Sequence, residues 1–321
     1  MAAPRAELFR SPHRDDSRVR PFDGRSLACL RRLPAYRASP LVGLPRLAAR
    51  LGLRDLAAKL EVDRFGLTSF KAMGVQWALT QCFEATAGRG VDRLVTASDG
   101  NHGHAVARAA REAGLGATIY LPRQTPDAVA ARLRAEGADV VIVPGTYDDS
   151  VEAASLRSLH ERGSLLLSDT SADPEDRIAE WVIQGYEAIF GEMDAQMAAD
   201  GFAPDLVLIQ IGIGGLAAAA SRYFRGRAAS RPELVGVESV VAACAQRSAQ
   251  QGDLVRVDAS GETVMAGINA GQLSAGAWRD IKYGFDWYLA IDDSGCDAAL
   301  RALRSAGVRA GPTGAGGGGG G

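Results

Sequence analysis

Between about residue 90 and about residue 240, short apolar runs alternate with longer stretches whose apolar residues return every three or four positions. Arg93 to Ala97, Ala117 to Leu121, Asp139 to Val143 and Leu165 to Leu167 read as strands. A helix through Glu112, then Pro126 to Glu136 and Tyr147 to Arg162, read as the helices between them. After a helix from Ile178 to Met193, the apolar strand Leu206 to Ile211 leads to the helix Ala217 to Arg225 and the strand Leu234 to Glu238. A loop at Gly261 to Gly271, a helix around Trp278 to Tyr283, a strand at Trp287 to Ile291 and a helix from Cys296 to Ala306 complete the series. Such alternation predicts an α/β protein with mainly parallel sheets and helical crossovers. The first forty or so residues are polar and broken by proline, which predicts an irregular arm; a helix, Leu47 to Leu53, and a short strand, Leu56 to Glu61, follow it.

The polar ends of these elements carry the candidate chemistry. Arg64-Phe65-Gly66-Leu67-Thr68-Ser69-Phe70-Lys71 places a lysine at the start of a helical pattern, with Thr68 and Ser69 where an N-cap belongs. The chain has three lysines, Lys59, Lys71 and Lys282, among 36 basic residues. That scarcity matters because a lysine can lose its proton and bond a carbonyl, whereas an arginine stays charged. An exposed lysine on an amphipathic helix is the plain alternative.

Ser98-Asp99-Gly100-Asn101-His102-Gly103 is a polar, glycine-punctuated strand-to-helix turn. Asn101 offers a side-chain donor and Asp99 an acid or base, unless either serves only as a helix cap. His102 has no second His or Cys at metal-ligand spacing and reads as a structural hydrogen-bonder. Asp169 follows a strand, at the carboxyl edge where sites collect in open α/β sheets. Gly212-Ile213-Gly214-Gly215-Leu216 joins a buried strand to a helix and suits a phosphate held by backbone N–H groups. A ligand-free tight turn, or a partial dinucleotide-binding turn, fits it as well.

Composition narrows the class. At 321 residues, 47% apolar and 23% charged, the chain has room for two domains. A net charge of −2 with mixed signs gives no footprint for nucleic acid or an anionic membrane. No apolar run approaches the roughly 20 residues that span a bilayer. The beginning lacks the apolar core of a secretory signal. Cys29, Cys82, Cys244 and Cys296 are scattered, which suits reduced cytoplasmic thiols.

The order of these motifs resembles the fold-type II pyridoxal-phosphate enzymes (tryptophan synthase β-like), and within them the diaminopropionate ammonia-lyase family. Further resembling stretches are Tyr147-Asp148-Asp149, Ser168-Asp169-Thr170, Trp181 to Tyr186, Val237-Glu238 and Met265-Ala266-Gly267, spanning about Ser39 to Ala315. The resemblance implies two open twisted sheets flanked by helices. It implies a larger domain from residues 1–83 and 194–321, a smaller inserted one from 84–193, and a cytoplasmic homodimer.

It further implies that Lys71 forms the Schiff base with pyridoxal 5'-phosphate and serves as base for the L-substrate, with Asp99 serving the D-substrate. Asn101 would bond the cofactor ring oxygen, the backbone of Gly212 to Leu216 its phosphate, and Thr313 its pyridine nitrogen, while Asp169 would support substrate binding. The implied reaction expels ammonia from 2,3-diaminopropionate and ends in pyruvate and ammonia. A serine or threonine dehydratase, or a β-replacing enzyme, is the alternative. The sequence departs from the family pattern at Lys59-Leu60-Glu61-Val62, at Ala270 opposite Cys244, and at Ala310 and Pro312. It ends in six glycines where family members continue through further helices, so an inactive, truncated homologue is the expectation from another class.

Overall fold

The structure, a computed structural model, describes residues 6–86, 90–98, 100–227 and 230–316. In chain order the elements begin β1 (Ala6–Arg10), α1 (Arg25–Leu30), β2 (Leu41–Gly43), α2 (Pro45–Arg50), β3 (Ala57–Lys59) and α3 (Lys71–Thr86). A βα series follows: β4 (Arg93–Ala97), α4 (Asn101–Glu112), β5 (Gly116–Pro122), α5 (Asp127–Ala135), β6 (Asp139–Val143), α6 (Tyr147–His160), β7 (Ser164–Leu166) and α7 (Arg177–Asp200). Then come β8 (Leu206–Gln210), α8 (Gly215–Arg222), β9 (Glu233–Ser239), α9 (Cys244–Gln251), α10 (Ala275–Gly284), β10 (Trp287–Ile291), α11 (Asp293–Ser305) and α12 (Pro312–Ala315).

Two four-stranded sheets result. One, ordered β6-β5-β4-β7, is wholly parallel, with Arg93 opposite Gly116 and Leu94 opposite Leu165. Its interior strand β4 is buried on both faces from Leu94 onward, which explains its mainly apolar residues. The other, ordered β1-β10-β9-β8, is parallel except for β1. β2 and β3 form a small antiparallel pair.

Several elements depart from the sequence expectation: α1 and β2 form where the sequence predicts an irregular arm and a turn-rich helix entry, and β1 and α9 form where it predicts no element. The N-terminal arm contains β1, an edge strand whose Ala-Glu-Leu-Phe-Arg has too few apolar residues to announce itself; it forms because β10 offers an open edge, with Phe9 against Tyr288. α9 buries Cys244, Ala245, Gln246, Ser248 and Ala249, small or polar residues of low hydropathy. A side chain outside the helix starts it: the buried Glu238 carboxylate accepts from Ala245 N–H at 2.7 Å and Gln246 N–H at 2.8 Å. Burial pushes the Glu238 pKa up to about 7, against the pull of those two donors. The helix expected through Arg225 also ends sooner, α8 passing at Tyr223 into a wider π turn.

The helices α3 and α7 pack directly against each other, at a crossing made of glycine. A Cβ on Gly185 would stand 2.6 Å from both Gly74 Cα and Met73 O, so only hydrogen fits there. Replacing Gly185 with alanine must separate the helices, since backbone cannot swing aside as a side chain can. We expect Gly185→Ala to cost about 1–3 kcal/mol, read as a lowered thermal midpoint, whereas an alanine at exposed Gly311 leaves it unchanged.

Candidate active site

Lys71 is delivered by a tight reversal of the chain. Arg64 and Leu67 exchange both backbone hydrogen bonds, at 2.8 and 2.9 Å, across Phe65 (φ 53°) and Gly66 (φ 71°). Two positive φ values in succession make a type I′ turn, and a phenylalanine tolerates the first only when its surroundings hold it. Here the ring is buried edge-on to Tyr36, and the Phe65 carbonyl accepts from Arg108 of α4 at 3.2 Å. Ser69 Oγ accepts from Lys71 N–H at 3.3 Å, satisfying a donor of the first turn of α3.

The Lys71 side chain meets Asp169, which follows β7: Nζ and Oδ2 lie 2.6 Å apart. Phe70 and Tyr186 form the floor, with ring centroids 5.5 and 5.9 Å from Nζ. Burial works to raise the Asp169 pKa, but the cationic neighbours, His102 when protonated and Lys71 in contact, outweigh it and hold the carboxyl below its ordinary value. The Tyr186 phenol is pushed well up by burial, so it stays protonated. His102, buried on the first turn of α4, bonds the Leu167 carbonyl through Nε2 at 2.9 Å, and burial lowers its pKa. Asn101 stands exposed beside it. Asp99 lies outside the described residues.

Gly212 to Leu216 face this group across the cleft. Gly214 has φ 95° and caps α8 without any side-chain hydrogen bond, so the first N–H groups of that helix remain available to an anion. A Cβ on Gly212 would come within 3.2 Å of Gly267 O. Thr313 in α12 accepts the Gly267 N–H on its Oγ1 at 3.1 Å, which leaves its hydroxyl proton for another acceptor.

Lys71, Asn101, Asp169, Gly212 to Leu216 and Thr313 thus line one cleft of about 2120 Å³. A pyridoxal phosphate has an aldehyde, a phosphate, a ring oxygen and a ring nitrogen, and the cleft has an amine, an uncapped helix start, an amide and a hydroxyl. The residues present fit the group. Sequence reasoning missed Tyr186, whose only signal was its place in the Trp181 to Tyr186 stretch. In the Lys59-Leu60-Glu61-Val62 stretch the departures are Leu60 and Val62; the two charged residues, Lys59 and Glu61, belong to the scaffold, since both bind the buried ion cluster around Arg64 and Glu192.

The family model described as "Pyridoxal-phosphate dependent enzyme" matches residues 32–317. The diaminopropionate ammonia-lyase of Salmonella typhimurium is 32% identical over 308 residues, covering 89% of this chain and 76% of that protein. The Escherichia coli diaminopropionate ammonia-lyase, solved with an aminoacrylate-PLP azomethine reaction intermediate, superposes with a TM-score of 0.89 at 26% identity, over 99% of this chain and 86% of that one. A threonine deaminase from T.th. does so with a TM-score of 0.76 at 29% identity, over 91% and 90% of the two chains. With its two mainly parallel sheets and a lysine facing a glycine-lined helix start, this chain belongs to the pyridoxal-phosphate dependent enzyme family, in its fold-type II branch.

Proposed function

We propose that the cleft binds pyridoxal phosphate and eliminates ammonia from 2,3-diaminopropionate, so that one substrate and one water give pyruvate and two ammonia. The observation that carries it is the 2.6 Å contact of Lys71 with Asp169, opposite the glycine turn, in a chain matched over most of its length by diaminopropionate ammonia-lyases. When bound, the cofactor supplies an electron sink for the bond to be broken at the substrate α-carbon.

The protein's own groups do the rest. Lys71 would hold the cofactor through its aldehyde and, as a neutral amine, would take the α-proton of the L-substrate. Asp99 takes that of the D-substrate. The N–H groups from Gly212 to Leu216 would hold the phosphate, Asn101 would donate to the ring oxygen, and the Thr313 hydroxyl proton would serve the ring nitrogen. Asp169, its carboxyl held below its ordinary pKa, would support substrate binding by pairing with the second ammonium group, a role that a substrate hydroxyl would not fill. The same reading takes residues 84–193 as the smaller domain, 1–83 with 194–321 as the larger, and the working unit as a cytoplasmic homodimer. Among the described residues no helix is long and apolar enough to cross a membrane.

Cofactor-loaded protein given L- or D-diaminopropionate, with pyruvate followed by a coupled dehydrogenase and ammonia measured directly, tests the reading. We expect both products, and turnover at least about tenfold faster than with serine or threonine. Likeness to the threonine deaminase supports dehydration as the second reading, and faster turnover of threonine would establish it instead.

A further inference from the structure

His102 is placed by one hydrogen bond whose direction is not open to choice. The Leu167 carbonyl can only accept, so Nε2, 2.9 Å away, must carry a proton. The other nitrogen, Nδ1, lies 3.5 Å from Asp169 Oδ2 and has no hydrogen-bond partner among the described residues. The side chain is 5% exposed, which keeps bulk solvent away from it. In the neutral ring, Nδ1 therefore presents a lone pair to a carboxylate: two acceptors face each other in a buried site, with no donor to Nδ1 among the described residues. That arrangement is costly unless a proton visits the gap.

The same Oδ2 holds the Lys71 ammonium at 2.6 Å, so the three groups form a chain of contacts from Nζ through Oδ2 to Nδ1. We infer that His102 is a positioning residue for Asp169, its Nδ1 receiving the proton that passes through the carboxylate whenever Lys71 gives up its charge. One N–H bond breaks at Lys71 Nζ and one forms at His102 Nδ1, with Oδ2 as the relay. The charges of the trio, plus, minus and zero, become zero, minus and plus. Their sum is unchanged, so the transfer puts no extra net charge into the buried site. The role rests on the proposed elimination only in assigning the transfer to a moment of the catalytic cycle.

The charges facing the imidazole agree with this. Burial is the largest influence and depresses the His102 pKa; Asp169 acts to raise it, and Lys71 depresses it further. On α4 itself His104 turns away to Glu136, at 3.0 Å. While Lys71 is cationic, then, His102 stays neutral, and loss of the lysine charge removes one of the two influences that hold the imidazole pKa down.

Imidazole nitrogen NMR on the cofactor-free full chain, labelled at its four histidines and assigned with His102→Asn, tests this without any turnover. The wild type should show the neutral Nε2–H tautomer at about pH 7. In Lys71→Met, which keeps an unbranched apolar chain against Phe70 and Tyr186, the His102 midpoint should rise by about one pH unit or more. In Asp169→Asn it should fall below the wild-type value. An unmoved midpoint in either variant, or a neutral Nδ1–H tautomer in the wild type, overturns the inference. In the loaded enzyme His102→Asn should keep the cofactor absorbance and KM within about twofold, while kcat falls about tenfold; an unchanged kcat overturns the role. Should the wild type release no ammonia from diaminopropionate, the function fails while the titration arm still decides the relay.

Discussion

Lys71→Ala and Lys71→Arg each lose release of pyruvate and ammonia by about a thousandfold or more, equivalent to roughly 4 kcal/mol of barrier at about 1.36 kcal/mol per tenfold. Both substitutions lose the reactive amine, but they differ in what they do to the fold. Alanine leaves Asp169 buried without its 2.6 Å cationic contact. Arginine restores a cation beside Asp169 but cannot lose a proton, so it neither bonds an aldehyde nor acts as a base. The arginine variant should therefore keep a thermal midpoint within a few degrees of the wild type while losing the chemistry. In both, borohydride treatment of cofactor-incubated protein should leave no pyridoxyl mass on the peptide that spans position 71. A fixed pyridoxyl group in the arginine variant, or activity above about one per cent, would assign the amine chemistry to another lysine.

How far such a site can be read from a chain depends on what kind of signal each residue leaves. Lys71, Asn101 and the Gly212 turn stand where a strand or turn gives way to a helix, and local grammar marks such places. Asp169 is legible as the end of a strand, but its partner is 98 residues away, and it takes the pairing of β7 with β4 and the packing of α3 on α4 to bring them together. The His102 tautomer depends on a single carbonyl, that of Leu167, whose direction no sequence pattern encodes. The place of Tyr186 at the site is hidden for a related reason, although the residue lies in the Trp181 to Tyr186 stretch: it reaches Lys71 because Gly74 and Gly185 let α3 and α7 touch. β1 leaves no local mark because its partner, the open edge of β10, lies far along the chain. α9 leaves none because it is started by the Glu238 carboxylate, a side chain outside the helix.

Arg64 shows the opposite case, a motif residue whose importance is legible and whose role is structural. Its guanidinium is 1% exposed and bonds Glu61 at 2.6 Å, Glu192 at 2.7 and 2.8 Å, and the Arg37 carbonyl at 2.9 Å. Lys59 joins Glu192 from the other side at 2.6 Å. Arg64→Met fits the space but takes the cation from Glu61 and leaves Glu192 with Lys59 as its one cationic partner among the described residues. Breaking a buried pair in this way costs about 3–5 kcal/mol, and a chain of this size should melt on the order of 10 °C lower. Acid supplies the decisive control. Burial raises the Glu192 pKa, yet the hydrogen bonds and charge of Arg64, with Lys59, pull it below its ordinary value in the native protein. Its stabilisation is therefore present above the unfolded carboxyl pKa of about 4.3 and is lost as the pH drops through the lower folded value. In Arg64→Met burial dominates and the folded pKa rises, so the penalty is greatest near neutral pH and fades as the carboxyl is protonated. Urea titrations at about pH 7 and about pH 4.5 should show the gap between variant and wild type narrowing with acidification. A gap that stays constant would mean the loss came from packing around Phe65, and the turn that presents Lys71 would then be held by shape and not by charge.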